Sequence, residues 1–192
     1  KHSKCGASML SRTAANGTCT GNDGVQVEFY EQAVADAGMG GDECDLNFSL
    51  NATASSGTGT WTYSGTGNAF FSSPNSPTAT VVVDTYGPYT FTWTEVNGIC
   101  SDNASINVNF YEQPVADAGA DAAECDLDFD LNGTPSVGTG QWTYTGPGTA
   151  TFSPADSDAN ATVTVDAAGT YTFTWTEDNN GCTDADDVTV VF

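Results

Sequence analysis

The chain has 192 residues, with 25 Asp and Glu against 3 Lys and Arg, a net charge of −22, and 39% hydrophobic residues. The basic residues are Lys1, Lys4 and Arg12 and the one histidine is His2, so the body of the chain has no cation to bind nucleic acid, clamp a phosphate or act as a Lys or His catalyst. These counts argue against nucleic-acid binding and most enzyme mechanisms, while four Trp among 11% aromatic residues supply more core than a disordered acidic chain carries.

No apolar run approaches the roughly 18–20 residues that would cross a bilayer, so no membrane insertion is expected. The start, Lys1-His2-Ser3-Lys4-Cys5, lacks the apolar stretch of a signal peptide and reads as a mature or excised segment. Residues 1–12 hold all the positive charge and match nothing further on. Asn16-Gly17-Thr18-Cys19 matches Asn97-Gly98-Ile99-Cys100, so residues 16–28 read as the last strand of a preceding or incomplete repeat, and 1–28 as a leader plus that strand.

From residue 29 the chain repeats itself. FYEQ stands at 29–32 and 110–113, VADAG at 34–38 and 115–119, ECDL at 43–46 and 124–127, and TFTWTE at 90–95 and 172–177. The offset of 81 becomes 82 through one extra residue between Phe152 and Asp166, in a turn-rich stretch that tolerates insertion. Two whole repeats follow, 29–110 and 111–192.

Each repeat opens with the Val-Ala-Asp segment, expected as a first strand, and continues with period-two apolar patterning. In the second repeat Cys125, Leu127, Phe129 and Leu131 share one parity, as do Trp142 with Tyr144, Val163 with Val165, Tyr171 with Phe173 and Trp175, and Val188 with Val190 and Phe192. The other parity is mostly Thr, Asp and Asn, and no helical period occurs. The pattern predicts an all-β fold of tandem antiparallel β-sandwiches with immunoglobulin-like layering. Asp84, Gly87 and Tyr89, repeated as Asp166, Gly169 and Tyr171, have the spacing of a tyrosine corner.

Of the six cysteines, four fall at strand openings of the two repeats. Cys44 and Cys125 open the second strand and Cys100 and Cys182 the last. Antiparallel counting puts both openings at one end of the sandwich and predicts Cys44–Cys100 and Cys125–Cys182 bridges, leaving Cys5–Cys19 for the leader. Paired cysteines indicate an oxidising, extracytoplasmic setting.

Acids gather near the connectors: Asp36, Asp42 and Asp102, then Asp117, Asp121, Asp184 and Asp186. Carboxylates and carbonyls are the hard ligands that calcium takes, and a bound ion would lock repeats together. The plain alternative is a solvated acidic face. Thr90, Thr92 and Thr94, with Thr172, Thr174 and Thr176, line a strand face where Thr is the ordinary choice. Trp61, Trp93, Trp142 and Trp175 could stack on sugars, but their parity favours the core.

Pro114-Val115-Ala116-Asp117-Ala118-Gly119, the central Trp142, the GTYTFTW run and the Asn-Gly-Cys turn together resemble the PKD-type immunoglobulin-like domain. The acidic FYEQPVADAG form with its cysteines is similar to tandem repeats in large surface adhesins of gliding Bacteroidota that use type IX secretion. The resemblance implies an extracellular, cell-surface role in stalks and adhesive contacts, without catalytic residues. The expected partners are neighbouring repeats and an adhesive ligand. Two alternatives are a carbohydrate-binding module and a fibre subunit that polymerises by strand addition through residues 16–30.

Overall fold

The computed structural model describes residues 4–6 and 10–192, with Lys4 and Cys5 by backbone alone. The leader's first residues, Lys1 and His2 among them, lie outside the described residues. Two compact units divide the chain, Lys1–Phe110 and Tyr111–Phe192.

The first unit runs β1 (Lys4–Cys5), β2 (Leu10–Asn16), β3 (Cys19–Val25), β4 (Tyr30–Glu31), β5 (Gly41–Glu43), β6 (Asn47–Ser49), β7 (Thr58–Gly65), β8 (Ala69–Phe71), β9 (Thr80–Val83), β10 (Gly87–Asn97) and β11 (Cys100–Phe110). The second runs β12 (Ala122–Ala123), β13 (Asp128–Asp130), β14 (Thr139–Thr145), β15 (Ala150–Ser153), β16 (Thr162–Val165), β17 (Thr170–Asn179) and β18 (Cys182–Val191). Every described element is a strand, and no helix is long and apolar enough to cross a membrane.

Each repeat is a sandwich of a four-stranded and a three-stranded sheet. In the first repeat the orders are β5-β11-β10-β7 and β6-β9-β8, and in the second β12-β18-β17-β14 and β13-β16-β15. The inward parity of the strands forms the core: Leu50, Trp61, Val81, Val83, Tyr89, Phe91, Trp93, Val108 and Phe110 are buried in the first repeat. Leu131, Trp142, Val163, Val165, Tyr171, Phe173, Trp175, Val188 and Val190 are buried in the second. The aromatic residues pack edge to face and stacked, with Tyr89 meeting Phe110 at 5.5 Å and Tyr171 meeting Phe192 at the same 5.5 Å, arrangements that the ring quadrupole favours.

The β17–β18 turn has positive φ at both loop residues, Asn180 at 57° and Gly181 at 93°, as a type I′ turn requires. Its counterpart between β10 and β11 has positive φ only at Gly98, 63°, the pattern of type II′. Asn-Gly placement therefore fixes the hairpin register in which Asn97 faces Cys100 and Asn179 faces Cys182.

Three local features depart from the sequence expectation. The first pairing of each four-stranded sheet is parallel, β5 with β11 and β12 with β18. Short strands β8 and β15 complete the smaller sheets, where alternation over three or four residues gives too weak a signal to read. The Val-Ala-Asp-Ala-Gly segment forms no ladder; in the first repeat it makes one isolated bridge, Asp36 to Thr53. Residues 10–12, which match nothing in the repeats, continue with 13–16 as β2 and pair with β3, and Asn16 faces Cys19 as Asn97 faces Cys100.

Candidate functional site

In the Trp-Thr-Glu run of β10 and β17 the Trp and Glu point inward and the Thr outward, which buries a carboxylate in each sandwich: Glu95 and Glu177 are each 1% exposed. A buried charge is costly unless it is fully hydrogen-bonded. Glu95 Oε1 accepts from Trp93 Nε1 at 2.9 Å and from the Ser55 amide at 2.9 Å, and Oε2 accepts from the Ser55 hydroxyl. Glu177 repeats this with Trp175 Nε1 at 3.1 Å, the Ser136 amide at 2.9 Å and the Ser136 hydroxyl. Burial pushes both carboxyls up, but the serine and tryptophan donors outweigh it and hold them below the ordinary range. Both are therefore anions held by donors, the opposite of a general acid.

The network continues outward. Ser55 Oγ accepts the amide of Val34 at 2.8 Å, and Ser136 Oγ accepts that of Val115 at 2.9 Å. Asp102 Oδ2 accepts the next amide, Ala35, at 2.9 Å, and Asp184 Oδ2 accepts Ala116 at 2.9 Å. Asp186 Oδ2 accepts Ala118 at 2.9 Å. Side-chain oxygens thus take the place of a strand partner for the segment that opens each repeat.

The other acids proposed for calcium have similar duties. Asp36 Oδ1 and Asp117 Oδ1 accept the amides of Gly38 and Gly119 at 2.9 and 3.0 Å, which closes the turns where those glycines take φ of 79° and 86°. Asp121 Oδ1 accepts Thr189 N at 2.8 Å, and Asp42 Oδ1 accepts Asn109 Nδ2 at 2.8 Å. Among the described residues no three His, Cys, Asp or Glu side chains gather as a metal site would need.

At the corners Tyr89 Oη donates to Thr85 O at 3.0 Å and Tyr171 Oη to Ala167 O at 3.1 Å. Asp84 receives the Asn68 amide and side chain, both at 2.7 Å. Asp166 receives the Thr149 amide at 2.7 Å and its hydroxyl at 2.6 Å. Those hydrogen bonds hold both aspartates below their ordinary range. Gly87 and Gly169 take φ of 131° and 151°, a conformation that favours glycine.

All four tryptophans lie in the cores, at 1–2% exposure, so they cannot form a sugar-stacking platform. Their ring nitrogens are satisfied inside: Trp61 donates to Ser76 O at 3.0 Å and Trp142 to Asp158 O at 3.1 Å. The threonine faces bond across strands, Thr90 to Asn107 at 2.8 Å and Thr174 to Asp187 at 2.6 Å.

The cysteine pairing expected from the sequence is not formed. Cys44, Cys100 and Cys182 are disulfide-bonded, whereas Cys19 and Cys125 are exposed free thiols. This removes both the Cys125–Cys182 and the Cys5–Cys19 bridges; the Cys5 side chain lies outside the described residues. Cys44 and Cys100 do not join either. Glu43 pairs with Phe110, the last residue of β11, while Cys100 is its first. Ten residues of strand separate them, about 34 Å, against the roughly 7 Å limit between the Cα atoms of a disulfide. The antiparallel count failed because the β5–β11 pair is parallel, which sends Cys44 to the far end.

A family model described as the Ubiquitin 3 binding protein But2 C-terminal domain matches residues 75–183. The match begins inside the first repeat and ends just past Cys182 in the second. Among solved structures, the titin I-band fragment I67-I69 is 13% identical with a TM-score of 0.48, over 96% of this chain and 74% of that one. Extracellular domains 3-5 of Drosophila OTK are 12% identical with a TM-score of 0.45, over 97% and 70%. The extracellular portion of mouse CD200RLa is 10% identical with a TM-score of 0.43, over 80% and 99%. No curated protein matches the chain.

Proposed function

The chain belongs to the family of the Ubiquitin 3 binding protein But2 C-terminal domain, and we propose that it works as a non-catalytic structural unit of an extracellular cell-surface adhesin. The binding named in the family description is that of the protein it names. The observation that carries the reading is the duplication of one network: Trp93, Glu95, Ser55 and Val34 recur as Trp175, Glu177, Ser136 and Val115 with near-identical bonds. A catalytic or ligand-binding module specialises one site. Here the buried acids of both repeats do the same work, which is to fasten the backbone.

Disulfide-bonded cysteines fit an oxidising compartment outside the cytoplasm. The −22 charge keeps neighbouring molecules apart by mutual repulsion, as a surface array needs. Its partners on this reading are neighbouring repeats and an adhesive target. An antibody against residues 111–192 should label intact cells of the source organism without permeabilisation. Labelling that requires permeabilisation contradicts the assignment.

A second reading, polymerisation by strand addition, is favoured by the β2–β3 hairpin. It is a two-stranded sheet with Leu10 70% and Val25 59% exposed, and such a ribbon is marginally stable without further strands. Growth of reduced protein into fibres with rising concentration would support it.

A further inference from the structure

We propose that Cys125 and Cys19 are complementary halves of a covalent link between copies of this chain. The repeat has two cysteine positions, and each occurs here in a bonded and a free form. At the ECDL position Cys44 is bonded and Cys125 is a free, exposed thiol. At the opening of the closing strand Cys100 and Cys182 are bonded and 2% exposed, while Cys19 is free and exposed.

The bonded examples define what each position is for. Cys44 and Cys100 are kept about 34 Å apart by the β5–β11 register, and Cys182 is not joined to Cys125, so the two positions of one repeat do not bond to each other. Repeat 2 keeps the same register: Ala123 pairs with Val191, and Glu124 N donates to Val191 O at 2.8 Å, so Cys125 stands at the end of β18 opposite to Cys182. A cysteine of the ECDL position therefore needs a thiol from a different repeat. Cys19 offers the other position, in the same Asn-to-Cys hairpin register as its bonded counterparts. A second copy of this chain supplies it.

The chemistry is stepwise thiol–disulfide exchange with a small-molecule disulfide as oxidant. The Cys125 thiolate attacks one sulfur of the oxidant, forming a mixed disulfide and releasing one thiolate. The Cys19 thiolate of another chain then attacks the Cys125 sulfur, forming the Cys125–Cys19 bond and releasing the second. Two protein thiols are oxidised and one oxidant disulfide is reduced to two thiols, which take up the two protons.

The test treats the intact, non-reduced chain with bis(2-hydroxyethyl) disulfide, a neutral oxidant that the −22 charge does not repel. Products are separated under denaturing, non-reducing conditions, which dissolve any strand-addition fibre, and linked peptides are identified by mass spectrometry. The expected result is a ladder of dimers, trimers and longer chains joined by Cys19–Cys125 peptides. Cys125→Ser and Cys19→Ser, both exposed changes that leave the cores intact, should each leave the chain monomeric, and an equal mixture of the two variants should stop at a Cys19–Cys125 dimer. Wild-type protein that remains monomeric, that closes Cys19–Cys125 within one chain, or that gives only Cys125–Cys125 and Cys19–Cys19 dimers would overturn the proposal.

Discussion

Trp93 and Glu95 stand two residues apart on one strand, both 1% exposed, and the indole Nε1 donates to Oε1 at 2.9 Å. A core tryptophan thus satisfies a core carboxylate, and the carboxylate in turn fixes Ser55 and through it Val34. Replacing Glu177 by Ala would leave the Trp175 N–H and the Ser136 donors without an acceptor. The expected cost is about 2–4 kcal/mol, from the buried donors left unsatisfied. Urea unfolding, followed by tryptophan fluorescence, measures it.

The acid dependence follows from four carboxyls held below their ordinary values: Glu95, Glu177, Asp84 and Asp166. A lowered folded-state value means that the unfolded chain binds protons first. Their contribution is fully present above the ordinary carboxylate range near pH 4 and is lost as pH falls through the folded values. Unfolding free energy should decline below about pH 4, and Glu177→Gln should flatten that decline. An unchanged acid slope in the variant would remove Glu177 from the account.

Ser56 Oγ is buried without a hydrogen-bond partner, and the second repeat has Val137 in its place. The hydroxyl carries a desolvation penalty that valine avoids. Ser56→Val should stabilise the first repeat by about 1 kcal/mol. A thermal melt that shows destabilisation would contradict the unpaired state of the hydroxyl.

The corner hydroxyl is worth testing by itself. Tyr171 is fully buried and its only polar atom donates to Ala167 O. Tyr171→Phe keeps the ring packing against Phe173 and Phe192 and removes that bond. The expected loss is about 1–2 kcal/mol in equilibrium unfolding.

Much of this architecture is legible in the sequence because burial imposes a period of two. Tyr171, Phe173 and Trp175 all point inward, as do Val163 and Val165. The Asn-Gly turns also announce the hairpins. The backbone role of the acids was hidden for a physical reason. Asp184 and Asp186, with Asp102 at the matching position of the first repeat, look like spare carboxylates in the sequence, but their partners are amides 67 or 68 residues away, which no local pattern shows. Glu95 and Glu177 gave no signal as core residues, since charge at an inward position reads as an error until its donors are known. The cysteine pairing turned on the parallel pairing of β5 with β11, and two-to-three-residue strands are too short to reveal direction.

The central claim is that the acids near the repeat openings hold backbone amides. Hydrogen exchange at the amides of Val115, Ala116 and Ala118 tests it most directly, because Ser136 with Glu177, Asp184 and Asp186 accept them. The account predicts slow exchange that calcium does not alter, with faster exchange at Ala116 in Asp184→Ala and at Ala118 in Asp186→Ala. Amides that exchange freely until calcium is added would contradict it.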